Sequence, residues 1–375
     1  MVVDLSRVLA GPFCTMQMLD LGARVIKVER PDGGDDARQI GPFVGGKSAY
    51  FSSLNRGKQS IALDLKAEPD RKTFERLLAH ADVLVENFRG GSMERLGYGW
   101  EDLHPRFPRL IYAGLSGFGH TGPYASRPAY DVVVQAMGGI MSLTGHPGGA
   151  PTRVGTSMGD IAAGLFTTIG INAALLARER SGVGTKIDVA MLDSQVAILE
   201  NAIARYSATG HVPGPLGTRH PSITPFAAFA ARDAHVIIAA GNDALFRRLC
   251  ECLEQPGLAE DPRFATNDLR TENEAALREA LESALGTRTA SAWLERLEAA
   301  GVPCGPINNV EQVLSDPQIR ARNMLVHVDD PQAGRLAMAG NPIKFSSYPD
   351  PETRGAVPEL DGDRTTLSRE FELPT

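Results

Sequence analysis

The sequence predicts an α/β fold: a large domain with a mainly parallel sheet, followed by a smaller α+β domain. In roughly the first hundred residues, short apolar segments alternate with helical segments of about ten residues. That alternation is typical of βαβ units, whose strands pair in parallel. From residue 226 onward the pattern changes to a β-hairpin followed by amphipathic helices, which indicates a second domain.

The predicted elements of the large domain follow one another in regular order. Pro12 suits the first turn of a helix, and Gly22 ends that helix. The apolar stretch 161–177 lacks Pro and strand-like alternation, so it predicts a buried helix. The expected strands cover residues 2–5, 24–28, 59–63, 82–86, 110–113 and 186–190, and the expected helices cover residues 13–21, 69–81, 132–137, 161–177 and 192–210.

A Pro-rich stretch sets the predicted domain boundaries. Residues 211–225 contain four Pro and are predicted to link a large domain, residues 1–210, to a small α+β domain, residues 226–320. Residues 321–375 are expected to return to the large domain. Within the small domain we expect a hairpin at 226–231 and 235–240, helices at 244–253, 272–285 and 290–300, and a strand at 303–307.

The composition excludes several classes of function. Hydrophobic residues make up 43% and charged residues 22% of the 375 residues, as in ordinary globular proteins. The net charge of -7 argues against general nucleic-acid binding. No apolar run approaches the ~20 residues that span a bilayer, and the N-terminus does not resemble a signal peptide. The four Cys fit neither a disulfide framework nor a zinc site, so we expect reduced thiols, no metal and a cytoplasmic location.

Basic residues follow several of the predicted strands. Arg30 and Arg38 come after the second strand, Lys66 after the third and Arg95 after the fourth. Because the carboxyl ends of parallel strands meet at one edge of a sheet, we expect these four cations to converge. Together they would suit a ligand with several phosphates, whereas each one taken alone is better explained as a solvated surface charge. No G-x-G-x-x-G follows the first strand, so the phosphates are expected to be held by side chains.

Asp160 is the candidate catalytic residue. It follows Gly155 and Gly159 and precedes the predicted helix, with Gly164 one turn further on. A carboxylate at a helix N-terminus is favoured by the unpaired N–H groups there, so one interpretation is that Asp160 is only an N-cap. The surrounding glycines favour a functional role, because small residues let a bulky ligand approach the carboxylate.

Several phrases along the chain resemble the class III CoA-transferases of the CaiB/BaiF type. The similarity extends from the first residues to about residue 345, and a subgroup that exchanges CoA between succinyl-CoA and glutarate is the most similar. The phrases that carry the family resemblance are residues 4–12, 21–31, 55–61, 85–88, 116–119, 158–160 and 301–307, and those that carry the subgroup are residues 6–13, 219–225 and 240–242.

The resemblance implies a fold and a set of residue roles. The fold is a Rossmann-like large domain built from both ends of the chain, with the small domain between them, in an interlocked homodimer. The catalytic aspartate of the family matches Asp160, and no resident cofactor is implied because the CoA thioester is a substrate. The implied CoA-binding residues are Val8, Ala10, Arg30, Arg38, Leu63, Lys66, Asn87, Phe88 and Arg95, and the implied acyl-pocket residues are Leu9, Tyr130, Gly139 and His220.

The implied reaction transfers CoA from succinyl-CoA to a dicarboxylate such as glutarate, through an aspartyl anhydride and an aspartyl-CoA thioester. The chain departs from the formyl-CoA–oxalate branch, because Leu9 stands where that branch has glutamine and no run of glycines lies near His220. Oxalate is therefore disfavoured as acceptor, although that branch stays an alternative. A second alternative, an α-methylacyl-CoA racemase, needs a histidine base where this chain has Tyr130, and a tyrosine is a poor base at neutral pH.

Two further roles stay open at this stage. The distal carboxylate of a dicarboxylate needs a cation, and the backbone N–H groups of Gly138, Gly139 or Gly159 are expected to stabilise the oxyanions of the reaction. The cation candidates, which the sequence does not rank, are Arg7, Arg127, Arg153, Arg219 and His220.

Overall fold

The computed structural model describes residues 1–373, which form two compact units. The first unit contains residues 1–142, 153–212 and 317–373. The second contains residues 143–152 and 213–316. Residues 143–152 were placed in the large domain from sequence, but they pack with the second unit instead, where the Gly217 N–H donates to the Gly145 carbonyl at 2.8 Å.

The strands and helices are numbered along the chain. The strands are β1 (Val2–Asp4), β2 (Val25–Glu29), β3 (Phe43–Val44), β4 (Lys47–Ser48), β5 (Gln59–Ala62), β6 (Val83–Glu86), β7 (Ile111–Ser116), β8 (Lys186–Ala190), β9 (Phe226–Ala230), β10 (His235–Ala239), β11 (Cys304–Pro306), β12 (Leu325–Asp330) and β13 (Gly334–Ala339).

The helices of the first 209 residues are α1 (Ala10–Asp20), α2 (Ala49–Asn55), α3 (Glu68–His80), α4 (Ser92–Leu96), α5 (Trp100–Leu103), α6 (Asp131–Met137), α7 (Ile140–Leu143), α8 (Met158–Ser181), α9 (Met191–Ala197) and α10 (Ala202–Thr209). Later helices are α11 (Asp243–Cys252), α12 (Gly257–Glu260), α13 (Asn267–Glu272), α14 (Glu274–Leu285), α15 (Ala290–Ala299), α16 (Val310–Ser315), α17 (Pro317–Ala321) and α18 (Arg364–Phe371).

A six-stranded sheet organises the first unit. Its order is β5-β2-β1-β6-β7-β8, and each neighbouring pair is parallel. When β3 and β4, which form a separate hairpin, are left out of the numbering, this is the 3-2-1-4-5-6 strand order of a Rossmann fold. In that fold, ligands bind where the order reverses beside the first strand. The α/β class and the mainly parallel sheet predicted from sequence are therefore confirmed.

Both faces of the sheet are covered by helices. Successive side chains of a strand point to opposite faces, so each strand contributes to two cores. Val3 of β1 faces one core, which contains Phe74 and Leu77 of α3. Val2 faces the other core, together with Cys14 of α1 and Ile171 of α8. The apolar runs of the parallel strands are thus explained by burial on two sides.

The second unit has its own core around an antiparallel sheet of order β11-β10-β9. The hairpin expected from sequence is present, with His235 paired to Ala230 and Ala239 to Phe226. Trp293 of α15 is buried and donates its indole N–H to the Leu285 carbonyl at 2.7 Å. Helices α11, α14 and α15 contribute the other core side chains.

Some predicted elements differ from those observed. The single helix expected at 192–210 is divided into α9 and α10, with Glu200 between them at a φ of 56°. The helix expected at 272–285 is present as α14, which begins two residues later. The short helix α13 before it had no prediction, and the Asn273 N–H donates to the Leu269 carbonyl at its C-terminus at 2.9 Å. The hairpin β12–β13 and helix α18 had no sequence prediction, and both belong to the first unit.

Helix α8 is longer than its apolar stretch predicted. It has 24 residues and, by length and composition alone, is long and apolar enough to cross a membrane. The expectation that no segment is long and apolar enough is therefore wrong for this helix. One of its faces is buried in the first unit, including Thr167 and Ile171.

Candidate active site

Asp160 lies in the first turn of α8 and is partly buried. It does not cap the helix: Ser157 occupies the N-cap position, and the cap has no side-chain hydrogen bond. Burial, and then the nearby charge of Asp131, raise the pKa of Asp160 to about 7, while a hydrogen bond from the Ala10 backbone N–H acts in the opposite direction. The capping interpretation is therefore wrong, and the carboxylate is available for chemistry.

Helix α6 holds the turn that leads into Asp160. Asp131, the first residue of α6, accepts the Gly159 backbone N–H at 2.8 Å. Gln135, one turn later and fully buried, accepts the Val154 N–H at 2.9 Å and donates to the Thr156 carbonyl at 3.2 Å. Since Gln135 also donates to Asp131 at 2.8 Å, the two side chains act as one support for the turn.

The glycines around Asp160 serve protein packing more than ligand access. A Cβ at Gly164 would lie 2.8 Å from the Ala10 carbonyl oxygen, so the first turn of α1 rests directly on α8. A Cβ at Gly159 would lie 2.6 Å from a methyl group of Val134. Only Gly155 of the three has open space around it. The expectation that a ligand uses the room at Gly159 and Gly164 is thus wrong.

A cavity of about 170 Å³ lies beside Asp160. Leu9 and Tyr130, both predicted for the acyl pocket, line it, and Tyr130 is 74% exposed. The CoA-binding candidates on its wall are Val8, Ala10, Asn87 and Phe88. These residues come from the segments after β1, β6 and β7, which end at the same edge of the sheet.

A second cavity of about 220 Å³ adjoins the first along the same edge. The two share Arg7, Asp36 and Phe88 in their walls. Arg30 and Leu63 line the second cavity, and so do Lys66 and Leu65. A long ligand could therefore extend from Asp160 across the ends of β6 and β1 to those of β2 and β5.

The predicted convergence of four cations is only half correct. Arg30 and Lys66 line one cavity, but Arg38 and Arg95 line neither of the two. Arg38 is committed to Glu29 through two hydrogen bonds of 2.8 and 2.7 Å, and it stacks 3.8 Å from the centre of the Phe51 ring. Arg95 donates to Ser92 of its own helix at 2.9 Å. Such pairing was invisible in the sequence spacing.

A buried ion pair shapes the loop between β1 and α1. Lys27 and Asp35 lie 2.8 Å apart and are almost fully buried. Lys27 donates to the Ser6 carbonyl at 2.7 Å, and Asp35 accepts the Val8 N–H at 2.9 Å. Val8 has a φ of 67°, which a β-branched residue rarely adopts, so the pair holds a strained loop beside the site.

Asn87 connects the loops after β6 and β1. Its side chain accepts the Arg7 N–H at 2.9 Å and donates to the Arg7 carbonyl at 2.8 Å. Both halves of the amide are therefore used by protein. A contact between Asn87 and CoA, which the family resemblance implies, would have to share these hydrogen bonds. In this structure Asn87 holds the Arg7 backbone in place and so helps to shape the cavity.

The proposed oxyanion donors are largely occupied. The Gly138 N–H donates to the Val134 carbonyl at 2.7 Å, and the Gly159 N–H donates to Asp131 at 2.8 Å. Gly139, at a φ of 90°, lies close to Leu199. Of the N–H groups at this site, that of Ala10 donates to the Asp160 carboxylate, because α1 begins there.

Two residues near Asp160 were missed from sequence. Asp131 had no predicted role, although its carboxylate raises the pKa of Asp160. Tyr50 of α2 is the second: burial, and then the charge of Asp160, raise its pKa to about 12. Nothing in the sequence pattern brings α2 and α8 together. The signal for Asp131 was its position at a helix start beside a glycine-rich turn.

The remaining candidates lie elsewhere. His220 is in the second unit, where its Nδ1 accepts the Ser222 N–H at 3.1 Å and its ring packs against Phe226. Residues 41–48 were not among the candidates, although they have the G-x-x-x-x-G-K-S spacing of a phosphate-binding loop. They form the β3–β4 hairpin instead, and Lys47 is paired with Asp330 at 2.8 Å and with Glu359.

Comparison with known sequences identifies the family of this chain. A sequence model described as CoA-transferase family III matches residues 1–364. The chain belongs to CoA-transferase family III. This CoA-transferase is 50% identical over 375 residues to the acetyl-CoA:oxalate CoA-transferase of Acetobacter aceti, with 100% of this chain and 95% of the relative covered.

Two other comparisons agree with that assignment. The CoA-transferase is 40% identical over 366 residues to the succinyl-CoA:glutarate CoA-transferase of Homo sapiens, covering 97% of this chain and 83% of the relative. A crystal structure of a CAIB/BAIF family protein from Brucella suis has a TM-score of 0.86 and 42% identity, covering 99% of this chain and 97% of that one. The family predicted from sequence is confirmed.

Proposed function

We propose that this CoA-transferase moves CoA from succinyl-CoA to a dicarboxylic acid such as glutarate, with Asp160 as the covalent nucleophile. The observation that carries the proposal is a partly buried carboxylate, with its pKa raised to about 7, on the wall of a cavity that adjoins a second cavity whose walls include Arg30 and Lys66. A carboxylate with such a pKa is still ionised in good part at neutral pH and is a stronger nucleophile than an ordinary aspartate.

The proposed reaction has four steps, and in each step a carboxylate or the CoA thiolate attacks an acyl carbon and displaces the other. A carboxylate oxygen of Asp160 attacks the thioester carbon of the donor, and CoA leaves as the thiolate, giving an aspartyl–succinyl anhydride. The thiolate attacks the aspartyl carbonyl, releasing succinate and leaving an aspartyl-CoA thioester. A carboxylate of the acceptor attacks that thioester and again frees the thiolate. The thiolate then attacks the acceptor half of the second anhydride, which restores Asp160 and releases the new acyl-CoA.

The two cavities suit the two ends of an acyl-CoA. Lys66 and Arg30 line the larger cavity and would face the phosphate groups of CoA, although Arg30 also donates to Asp36 at 2.7 Å and would have to share its charge with that carboxylate. The thioester would reach Asp160 past Phe88, which belongs to both walls. CoA is thus a substrate, and the scheme requires no resident cofactor. Exclusion of water from the anhydride is part of the proposal, since hydrolysis would waste the activated acyl group.

The test is trapping of the acyl-enzyme. After incubation with succinyl-CoA, hydroxylamine should convert the activated Asp160 carbonyl to a hydroxamate that peptide mass spectrometry locates at residue 160. Asp160→Asn should give no trapped product. It should also melt no lower than the wild type above pH 7, because a raised pKa means that the ionised carboxylate destabilises the fold there. An unmodified wild-type Asp160 would contradict covalent transfer.

Oxalate is a second candidate acceptor. The 50% identity to an acetyl-CoA:oxalate CoA-transferase over the full chain supports it, whereas Leu9 on the cavity wall was the reason for disfavouring it. The two acceptors are separated by measuring kcat/KM for oxalate and glutarate with acetyl-CoA and succinyl-CoA as donors. Exchange of the α-proton of a branched acyl-CoA in deuterated water, without any trapped adduct, would favour the racemase alternative instead.

A further inference from the structure

The cavity beside Asp160 contains three arginines, and they differ in their charge partners. Arg7 donates to Asp36 at 2.8 Å, so its charge is already paired. Arg127 and Arg89 line the same cavity, and within residues 1–373 neither has a carboxylate at ion-pair distance. An unpaired guanidinium beside the reacting carboxylate would be well placed to receive a second carboxylate from a substrate.

Arg127 is also the arginine whose orientation is fixed. Its guanidinium carbon lies 4.1 Å from the centre of the Tyr124 ring. The backbone N–H of Arg127 also donates to the Tyr124 carbonyl at 2.9 Å. Tyr124 in turn packs edge-on against Phe118 at 5.6 Å, and Phe118 packs on a buried apolar cluster. A guanidinium stacked on a ring in this way keeps its edge N–H groups free for a two-pronged contact with a carboxylate.

The other cations considered for this role have different surroundings. Arg153 donates to Asp131 at 3.3 Å and does not line the cavity. Arg219, in the second unit, faces Glu274 at 4.0 Å. His220 accepts a backbone N–H of its own loop. Arg127 thus stands apart from the cations that the sequence could not rank.

We propose that Arg127 binds the distal carboxylate of a dicarboxylic substrate and thereby selects dicarboxylates over monocarboxylates. The inference rests on the proposed function, since it assumes that an acid reacts at Asp160 in the same cavity. A short dicarboxylate would place one carboxylate at Asp160 and the other against the exposed edge of the guanidinium. The same contact would apply to the succinyl group of the donor.

The experiment compares acids that differ only in the distal group. Wild type, Arg127→Met and Arg127→Lys are assayed with glutarate and with pentanoate as acceptors, and with succinyl-CoA and butyryl-CoA as donors. Methionine keeps an apolar stem on Tyr124 and removes the charge. We expect Arg127→Met to lower kcat/KM for glutarate roughly 10- to 100-fold, mostly through KM, because a charged hydrogen-bonded contact is lost. The value for pentanoate should change less than about two-fold. Arg127→Lys should recover part of the loss.

Two further variants make the result specific. Arg180→Met removes an exposed arginine from the last turn of α8, at the other end of the helix from Asp160, and should leave both acids unchanged. Arg89→Met tests the other unpaired arginine of the cavity. A glutarate-selective loss in Arg89→Met but not in Arg127→Met would overturn the inference, as would an equal loss for both acids in Arg127→Met.

Trapping with hydroxylamine separates this inference from the proposed function. If hydroxylamine still traps Asp160 of the Arg127→Met variant after incubation with butyryl-CoA, covalent transfer is intact. The ratio of kcat/KM for glutarate to that for pentanoate then decides the role of Arg127. If wild-type Asp160 is trapped with neither donor, the proposed function fails and the inference fails with it. A wild type that transfers CoA equally well to pentanoate and glutarate would refute the role of Arg127 while leaving covalent transfer in place.

Discussion

Asp131 has two separate effects on Asp160. Its negative charge is, after burial, the second cause of the raised pKa of Asp160. Its Oδ1 also accepts the Gly159 N–H at 2.8 Å, which fixes the first turn of α8. An asparagine would keep a carbonyl oxygen for that N–H and remove the charge. The two effects can therefore be separated by one substitution.

We expect Asp131→Asn to move the acidic limb of the pH profile to lower pH. In the proposed mechanism the nucleophile is ionised Asp160, so kcat/KM for the acyl-CoA should rise with pH and level off above about 7 in the wild type. Without the charge of Asp131 the pKa of Asp160 falls, but burial keeps it above the ordinary value of an aspartate. The variant should lose about 1–2 kcal/mol of stability, because its amide would face the Gln135 amide donor.

Asp193→Asn is the matched control, because this exposed carboxylate in the first turn of α9 does not line the cavity. Its profile should match that of the wild type. The pH dependence of kcat/KM, measured at constant ionic strength, gives the answer. An acidic limb in Asp131→Asn that stays at the wild-type pH would show that Asp131 has no influence on the reacting carboxylate.

At the residue scale, the sequence predicted those site residues whose surroundings are set by neighbouring positions in the chain. Asp160 was found because the turn and helix around it are contiguous in the chain. Asp131 and Tyr50 could not be assigned, because they reach Asp160 only through the packing of α6 and α2 in the folded unit. The cation convergence failed in part for a related reason. Arg38 is neutralised by Glu29, and spacing does not reveal which charges pair.

At the scale of elements, the contact between α1 and α8 holds the N-terminus of α1 against Asp160. Gly164 permits that contact, since a Cβ there would lie 2.8 Å from the Ala10 carbonyl oxygen. Backbone cannot yield as a flexible side chain can. A methyl group at this position must therefore move the first turn of α1, and with it the Ala10 N–H that bonds the carboxylate.

We expect Gly164→Ala to lower kcat by roughly 10-fold or more and stability by about 1–3 kcal/mol, because the overlap is with backbone. Gly170→Ala in the same helix is the control. Its Cβ would lie 3.2 Å from a methyl group of Ile187, a side chain able to adjust. That variant should keep its activity and change stability by no more than about 1 kcal/mol, in either direction. Thermal melts and steady-state kinetics of the pair measure both effects. Equal activity losses in the two variants would contradict the role of the α1–α8 contact.

The accuracy of the element predictions followed the strength of the pattern. Strands buried along their whole length, such as β1 and β6, were located to within a residue, because they are short, mostly apolar runs. Helices α9 and α10 were merged, since the break at Glu200 uses a positive φ at a residue with no tendency to mark turns. The β12–β13 hairpin was missed because its exposed face, which includes Arg335, dilutes the apolar signal.

At the scale of the whole chain, the two units interleave in sequence. Residues 143–152 belong to the second unit although they lie between two segments of the first, and the chain from residue 317 returns to the first. In that return, Asp363 accepts the Ser60 N–H of β5 at 2.8 Å. Sequence pattern could not assign 143–152, because a Gly- and Pro-rich segment has no apolar face that would show its partner.

The first unit exposes an apolar face that a monomer in water does not need. Ile169 and Leu176 of α8 are 63% and 62% exposed, and Leu165 and Phe166 lie on the same side of the helix. Ile203 and Tyr206 of α10 are likewise exposed. Apolar side chains clustered in this way mark an interaction surface. The homodimer implied by the family resemblance would use it.

We therefore expect the protein in solution to have a mass of about twice the 40.1 kDa of its chain. An interlocked pair cannot separate without unfolding, so the mass from light scattering should persist on dilution to nanomolar concentration. Ile169→Glu should reduce the dimer or the yield of folded protein, because a charge buried at an interface is costly. Arg180→Glu, at another exposed site on the same helix, should not. A monomeric wild type that sediments with lipid vesicles would instead assign the exposed face of α8 to a membrane, and a monomer that ignores vesicles would exclude both partners.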